Sequence, residues 1–196
     1  LIVNGGMDFN QRVATSVAND TYCLDAWYVL TNTGNVTVAQ QSLQAFGIPT
    51  NVRLTQPDAA PKYLGYAQII ENTNCRAYRN ADVVLSARVR HSLTAPIRYA
   101  LLSWTSTADA VTSGVVNNWG SASYTAGGFF LGANLTVQAV GVITPGAGLW
   151  TSISPITATL SGSMNNLVVM FWTENVTAQN ATLDISNVMV NAGTTA

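Results

Sequence analysis

Asp82-Val83-Val84-Leu85-Ser86-Ala87-Arg88-Val89-Arg90 decides the fold class. Val83, Leu85, Ala87 and Val89 fall on one face, and Asp82, Ser86, Arg88 and Arg90 on the other. That period of two marks a half-buried strand, because successive side chains of an extended chain point to opposite sides. Further runs rich in Val, Ile, Thr and aromatics lie at 26–31, 36–40, 51–55, 63–70, 97–104, 135–143, 156–160 and 167–173. These residue types suit a pleated surface. Pro49, Pro57, Pro61, Pro96, Pro145 and Pro155 stand between the runs or at their starts, where no ladder donor is lost.

Near the C-terminus, Leu183 and Ile185 share one phase of the alternation while Val188 and Val190 share the other. A strand with one buried face cannot change phase without an extra residue. The pattern predicts a β-bulge near Ser186-Asn187 or, as the alternative, a strand buried on both faces. Helix signals are weak. Only 107–119 could hold a short helix or turn, and Gly114 interrupts it. There is no repeat, linker or low-complexity tract, so residues 1–196 read as a single domain. Many short strands at close spacing predict an all-β, two-sheet antiparallel β-sandwich of jelly-roll type with little helix.

The composition bears on function mainly by exclusion. Eight basic and nine acidic residues among 196 make up only 9% of the chain, against roughly 25% in an ordinary soluble domain. Nucleic acid is excluded as a partner, since phosphate contacts need clustered Lys and Arg. No apolar run is long enough for membrane insertion. No signal peptide is visible, and the chain starts at Leu1 as a fragment or processed form would. Cys23 and Cys75 match no metal motif and read as two buried thiols, with a single bridge as the alternative. The lone histidine, His91, reads as structural or surface. No nucleophile elbow, phosphate loop or zinc motif occurs, and no carboxylates are paired locally, so no enzyme is expected. Five N-x-S/T sequons at Asn19, Asn35, Asn134, Asn175 and Asn180 carry little weight in a chain this rich in Asn and Thr.

Aromatic residues are the best ligand candidates. Trp27, Trp104 and Trp172 sit in strand-like runs and read as core. Trp119, Tyr124 and Trp150 lie among Gly, Ser and Asn. A flat ring among hydroxyl and amide groups can stack on the C–H face of a sugar while its neighbours bond the sugar hydroxyls. The other reading of these three rings is that they cap the ends of the core.

Asn4-Gly5-Gly6-Met7-Asp8-Phe9-Asn10-Gln11-Arg12, followed by Tyr22, Asp25 and Trp27, resembles the opening of a family of bacteriophage structural modules. These are jelly-roll, carbohydrate-binding-module-like domains of tail fibres and other virion appendages. Their opening reads N-G-x-F-D-x-W-Q-R and then Y-x-x-D-x-W. The stretches at 101–109, 115–119, 165–173 and 183–193 are similar to later parts of the same modules. Asn10 replaces the usual Trp, Val13 a Gly and Ala26 a basic residue.

The resemblance implies a structural protein of a phage virion, in a fibre, spike or appendage, that contributes to attachment to a host surface glycan. The alternative is a purely structural capsid or tail decoration subunit. The location implied is the virion, an extracellular particle, and the implied partners are other virion proteins and further copies of the chain. The deficit of charge independently suggests association between copies, because free sheet edges are usually guarded by charged residues. The trimer number comes from the resemblance alone. No cofactor is expected, with a structural calcium ion left open. Asp8, Arg12, Asp25 and Trp27 are the structural residues of the opening, with Arg12 and Asp25 expected to form an ion pair.

Overall fold

The computed structural model describes residues 1–11, 15–45, 48–112 and 114–195. Thirteen strands are defined there: β1 (Ser16–Ala18), β2 (Thr21–Tyr22), β3 (Tyr28–Leu30), β4 (Asn35–Ala45), β5 (Ile48–Thr55), β6 (Gly65–Ile70), β7 (Asp82–His91), β8 (Ile97–Trp104), β9 (Leu135–Ile143), β10 (Thr151–Ser152), β11 (Ile156–Thr159), β12 (Asn166–Thr173) and β13 (Thr182–Ala192). One sheet runs β1-β4-β5-β13-β7, with β10 and β11 both pairing along the free side of β7. The other runs β2-β3-β6-β12-β8-β9. All strand pairs are antiparallel. The expected two-sheet sandwich is therefore the fold.

The alternating face of β7 enters the space between the sheets. Val83, Leu85, Ala87 and Val89 join Leu183 and Ile185 of β13 in the main core. Trp27, from the turn between β2 and β3, and Tyr66 of β6 enter the same core and stack with centroids 4.8 Å apart and planes 3° from parallel. The phase change in β13 is a bulge, as its periodicity predicts: its register against β7 shifts between Ser186 and Met189. Asn187 adopts φ +51° there, a left-handed conformation that Asn tolerates better than most residues.

The only helical turn of α type among the described residues is α1 (Asn72–Cys75). The segment suggested as a short helix forms none in its described part. Its Ser, Thr and Gly114 leave it as turns and a bridge from Val116 to Phe130. Cys23 and Cys75 are free and buried, and burial pushes the Cys23 thiol up to about 11. No helix of the described residues is long and apolar enough to cross a membrane.

The opening motif is only partly described. Trp27 is fully buried. Asp8 accepts a hydrogen bond from the Thr50 hydroxyl. Asp25 accepts from the Gln11 amide at 3.3 Å. Arg12, the expected ion-pair partner of Asp25, lies outside the described residues.

His91 ends β7, fully buried, and the Leu93 amide donates to its Nδ1 at 2.9 Å. Burial holds its pKa below the usual imidazole value, opposed less strongly by the Leu93 contact and the Asp184 charge. Above about pH 6.5 the ring is neutral in both folded and unfolded chains. Below that the unfolded chain binds the proton first, so stability falls as pH falls. Urea midpoints measured from pH 7.5 to 5.5 should therefore drop for the native chain and stay flatter for His91→Asn. Parallel profiles would assign the drop to other groups.

Candidate functional site

The described residues of 105–134, the long connection between β8 and β9, fold across the outer face of the second sheet. Phe129, Phe130 and Val115 of this cover pack on Leu30, Ala67, Ala100, Leu102, Met170 and Trp172, forming a second apolar core. Phe129 stacks on Trp172 at 4.8 Å, and Phe130 meets the same ring edge-on at 5.6 Å. The second sheet is thus apolar on both faces at its centre.

Trp119 and Tyr124 belong to this cover. Each ring touches Phe129, at 5.6 and 5.5 Å. Trp119 also stacks on Tyr63 at 5.2 Å and lies close over Gly65, where an added Cβ would sit 2.8 Å from the indole. Tyr124 lies under the Arg98 guanidinium at 3.9 Å and donates to Glu174 at 3.0 Å, while Arg98 pairs with Glu174 at 2.6 Å. Trp150 is not with them. It stands beside the first sheet, with the Arg90 guanidinium 5.2 Å from its ring. The structure therefore brings together two of the three rings that composition singled out.

A groove lies on the β2–β3 side of the second sheet, at the edge of the cover. The turn from Cys23 to Trp27 closes with Trp27 N–H donating to Leu24 O at 2.8 Å, and Ala26 takes φ +71°. This sets Tyr22 opposite Tyr28 in register, with centroids 4.5 Å apart and rings 80° apart. Both rings are half-buried. Two adjoining hollows of about 190 and 230 Å³ share Tyr22, Ile69 and Glu71. One extends to Tyr28, Asp109 and Asn166, the other to Gln68 and Asn74. Asp109 accepts from the Asn72 amide at 2.8 Å and from Asn166 Nδ2 at 2.7 Å, and these bonds hold its carboxyl below its ordinary pKa. It is an anionic acceptor in a fixed position.

Rings, carboxylates and amides in one groove can bind a polyhydroxylated ligand through stacking and hydroxyl bonds. They supply no nucleophile with an adjacent base, and His91 is buried in the other sheet. A larger hollow of about 310 Å³ lies by Trp104, Val111, Leu131 and Leu135, but its walls are mainly apolar and offer hydroxyls few partners. Among the described residues no three His, Cys, Asp or Glu are grouped to hold a metal ion.

No protein-family model matches the sequence, and no curated protein does. Solved structures do. Over 97% of its length the chain is similar to part of the enzymatically active domain of tailspike protein 4 of bacteriophage CBA120, at 12% identity and TM-score 0.56, spanning 21% of that chain. Over 98% of its length it is similar to the whole of a CBM4 structure, at 14% identity and TM-score 0.55, covering 100% of that chain. Over 86% it is similar to TmCBM61 solved in complex with β-1,4-galactotriose, at 9% identity and TM-score 0.51, covering 90% of that chain. The fold is the jelly roll of carbohydrate-binding modules. In this sandwich the described residues leave a groove at Tyr22 and Tyr28, and the adjoining sheet face is covered by Val115, Phe129 and Phe130.

Sequence reasoning passed over Tyr28, Glu71 and Asp109. Each is unremarkable alone, and only the β2–β3 register and the entry of the cover loop assemble them. The available signal was the tyrosine pair flanking a five-residue turn.

Proposed function

We propose that the chain is a non-catalytic glycan-binding module, with Tyr22 and Tyr28 as its stacking platform and Asp109 and Glu71 as hydroxyl acceptors. The observation that carries this is the cross-strand tyrosine pair and a fixed carboxylate lining one groove. The carbohydrate-binding-module fold supports it. Trp119 and Tyr124 act in this reading by holding the cover that walls the groove.

A glycan array probed with the native chain should give a defined set of ligands. Tyr28→Ala should weaken them by tenfold or more, about 1.4 kcal/mol, while the melting curve shifts little. Undiminished binding by a folded Tyr28→Ala would move the site elsewhere, and an empty array would remove the function.

The proposal extends to place: a fibre, spike or appendage of a phage virion, present in several copies, where glycan binding serves attachment to a host surface. The resemblance of the opening stretch to phage appendage modules and the likeness to a tailspike domain support this. Labelled antibody on particles, viewed by electron microscopy, tests it. Failure to label intact particles would overturn it.

A further inference from the structure

The margins of the two sheets are finished unequally. Three of them end in strands of two to four residues: β1 and the β10–β11 pair on the first sheet, and β2 on the second. The fourth ends in β9, which is nine residues long. Among the described residues β9 pairs with β8 along one edge and with no strand along the other. β11 comes near it but pairs with β7. Leu135-Thr136-Val137-Gln138-Ala139-Val140-Gly141-Val142-Ile143 holds no charged residue and no proline, the residue types that ordinarily keep an exposed edge from pairing with another chain.

One guard is present, and it divides the strand. Leu102 faces Val137 and Leu101 faces Ala139, so Gln138 is the extra residue of a bulge. Beyond it, Ala139–Ile143 runs in regular register with Ile97–Leu101. Every second residue of an antiparallel strand turns its N–H and C=O away from the paired neighbour, so this stretch presents ladder groups at its far edge. Ile143 packs on the main core and Val140 on the second. Val142 shares the face of Val140 yet is 45% exposed. Ladder groups are satisfied by another extended chain, and the valine beside them by an apolar neighbour. A second copy of the same stretch supplies both. A two-fold axis through the middle of Ala139–Ile143 sets the two strands antiparallel, with Val142 of each copy against Val140 of the other. Charge permits this approach, because Arg98, opposite Val142 in register, is paired with Glu174 at 2.6 Å.

We propose that β9 is the contact between copies of this chain: Ala139–Ile143 pairs with the same stretch of a second copy, joining two six-stranded sheets into one. The contact is isologous, so one patch on each copy suffices. It is independent of the glycan-binding reading and gives a surface to the several copies placed on a particle above. Its number is two, where the resemblance of the opening stretch implies three.

A joint this short belongs to the weak class of interfaces, below about 1,200 Å², so the test spans micromolar to millimolar chain. Sedimentation equilibrium should show the 20.7 kDa chain passing to twice that mass. Val142→Lys should weaken the association at least tenfold while the melting curve shifts little. Hydrogen exchange of the native chain should slow at alternate amides of Ala139–Ile143 as concentration rises, with β2, the other margin of the same sheet, unchanged. That comparison decides the matter even if Val142→Lys fails to fold. A single species of 20.7 kDa throughout, a closed trimer, or a dimer whose β9 exchange does not depend on concentration would each overturn the proposal. None of these outcomes bears on a glycan array.

Discussion

Asp184→Ala is expected to destabilise the fold by about 3 kcal/mol, near the lower end of what breaking a buried ion pair costs. Asp184 is fully buried on β13, and its carboxylate binds Arg53 Nε at 2.7 Å and Nη2 at 3.2 Å. From the other side it binds Arg90 Nε at 2.6 Å. Without it, two guanidinium groups face each other across a strand with no charge between them. Their side chains are 31% and 19% exposed, so water recovers part of the loss, which sets the estimate at the low end. Arg53→Ala should cost less, about 1–2 kcal/mol, because Asp184 keeps Arg90. Urea unfolding of both single variants and the double variant gives the coupling directly. A loss below about 1 kcal/mol for Asp184→Ala would show that the two arginines are held by solvent and not by this acid.

Trp172→Ala should cost more, about 3–5 kcal/mol, as expected when a buried indole is deleted. The ring is fully buried and is the meeting point of Phe129, Phe130 and Tyr124. It therefore anchors residues 105–134 to the sheet as well as filling volume. For a chain of this length such a loss lowers the melting temperature by about 6–20 °C. The cover should loosen first, since local opening draws on the least anchored unit. Limited proteolysis of the variant below its melting point should cut within 105–134 while the strands stay whole. Simultaneous cleavage throughout the chain would mean that the cover and the sandwich unfold as one unit.

The strands were legible to different degrees. β8 and β9 have the limits that their apolar runs predict, and β7 extends one residue further, to His91. The β13 bulge was legible because a phase change leaves a trace in the order of residues. β1, β2 and β10 were not, since two or three residues are too few to show a period. The run at β12 identified a strand and hid its surroundings. Asn166–Thr173 is buried at every position, and a strand covered on both faces has no alternation to read. The partner of its outer face lies more than thirty residues away in a loop whose rings resemble exposed ones. The groove was hidden for a related reason. Tyr22 and Tyr28 become a pair only through strand register, and Asp109 joins them only because the cover begins there.

The closed face of the second sheet also determines which part of the molecule opens last. β12 has paired neighbours on both edges, β6 and β8, the main core beneath it and the aromatic cover above. Its amide protons can reach solvent only when the cover, the sheet and the sandwich all come apart. Deuterium uptake by β12 should thus follow the global unfolding equilibrium. Under the same conditions the two-residue strand β2, at the sheet edge beside the tyrosine groove, exchanges through local fraying. Ligand held against Tyr22 and Tyr28 would then be recorded as slowed exchange at that edge, with the centre of the sheet serving as an internal reference.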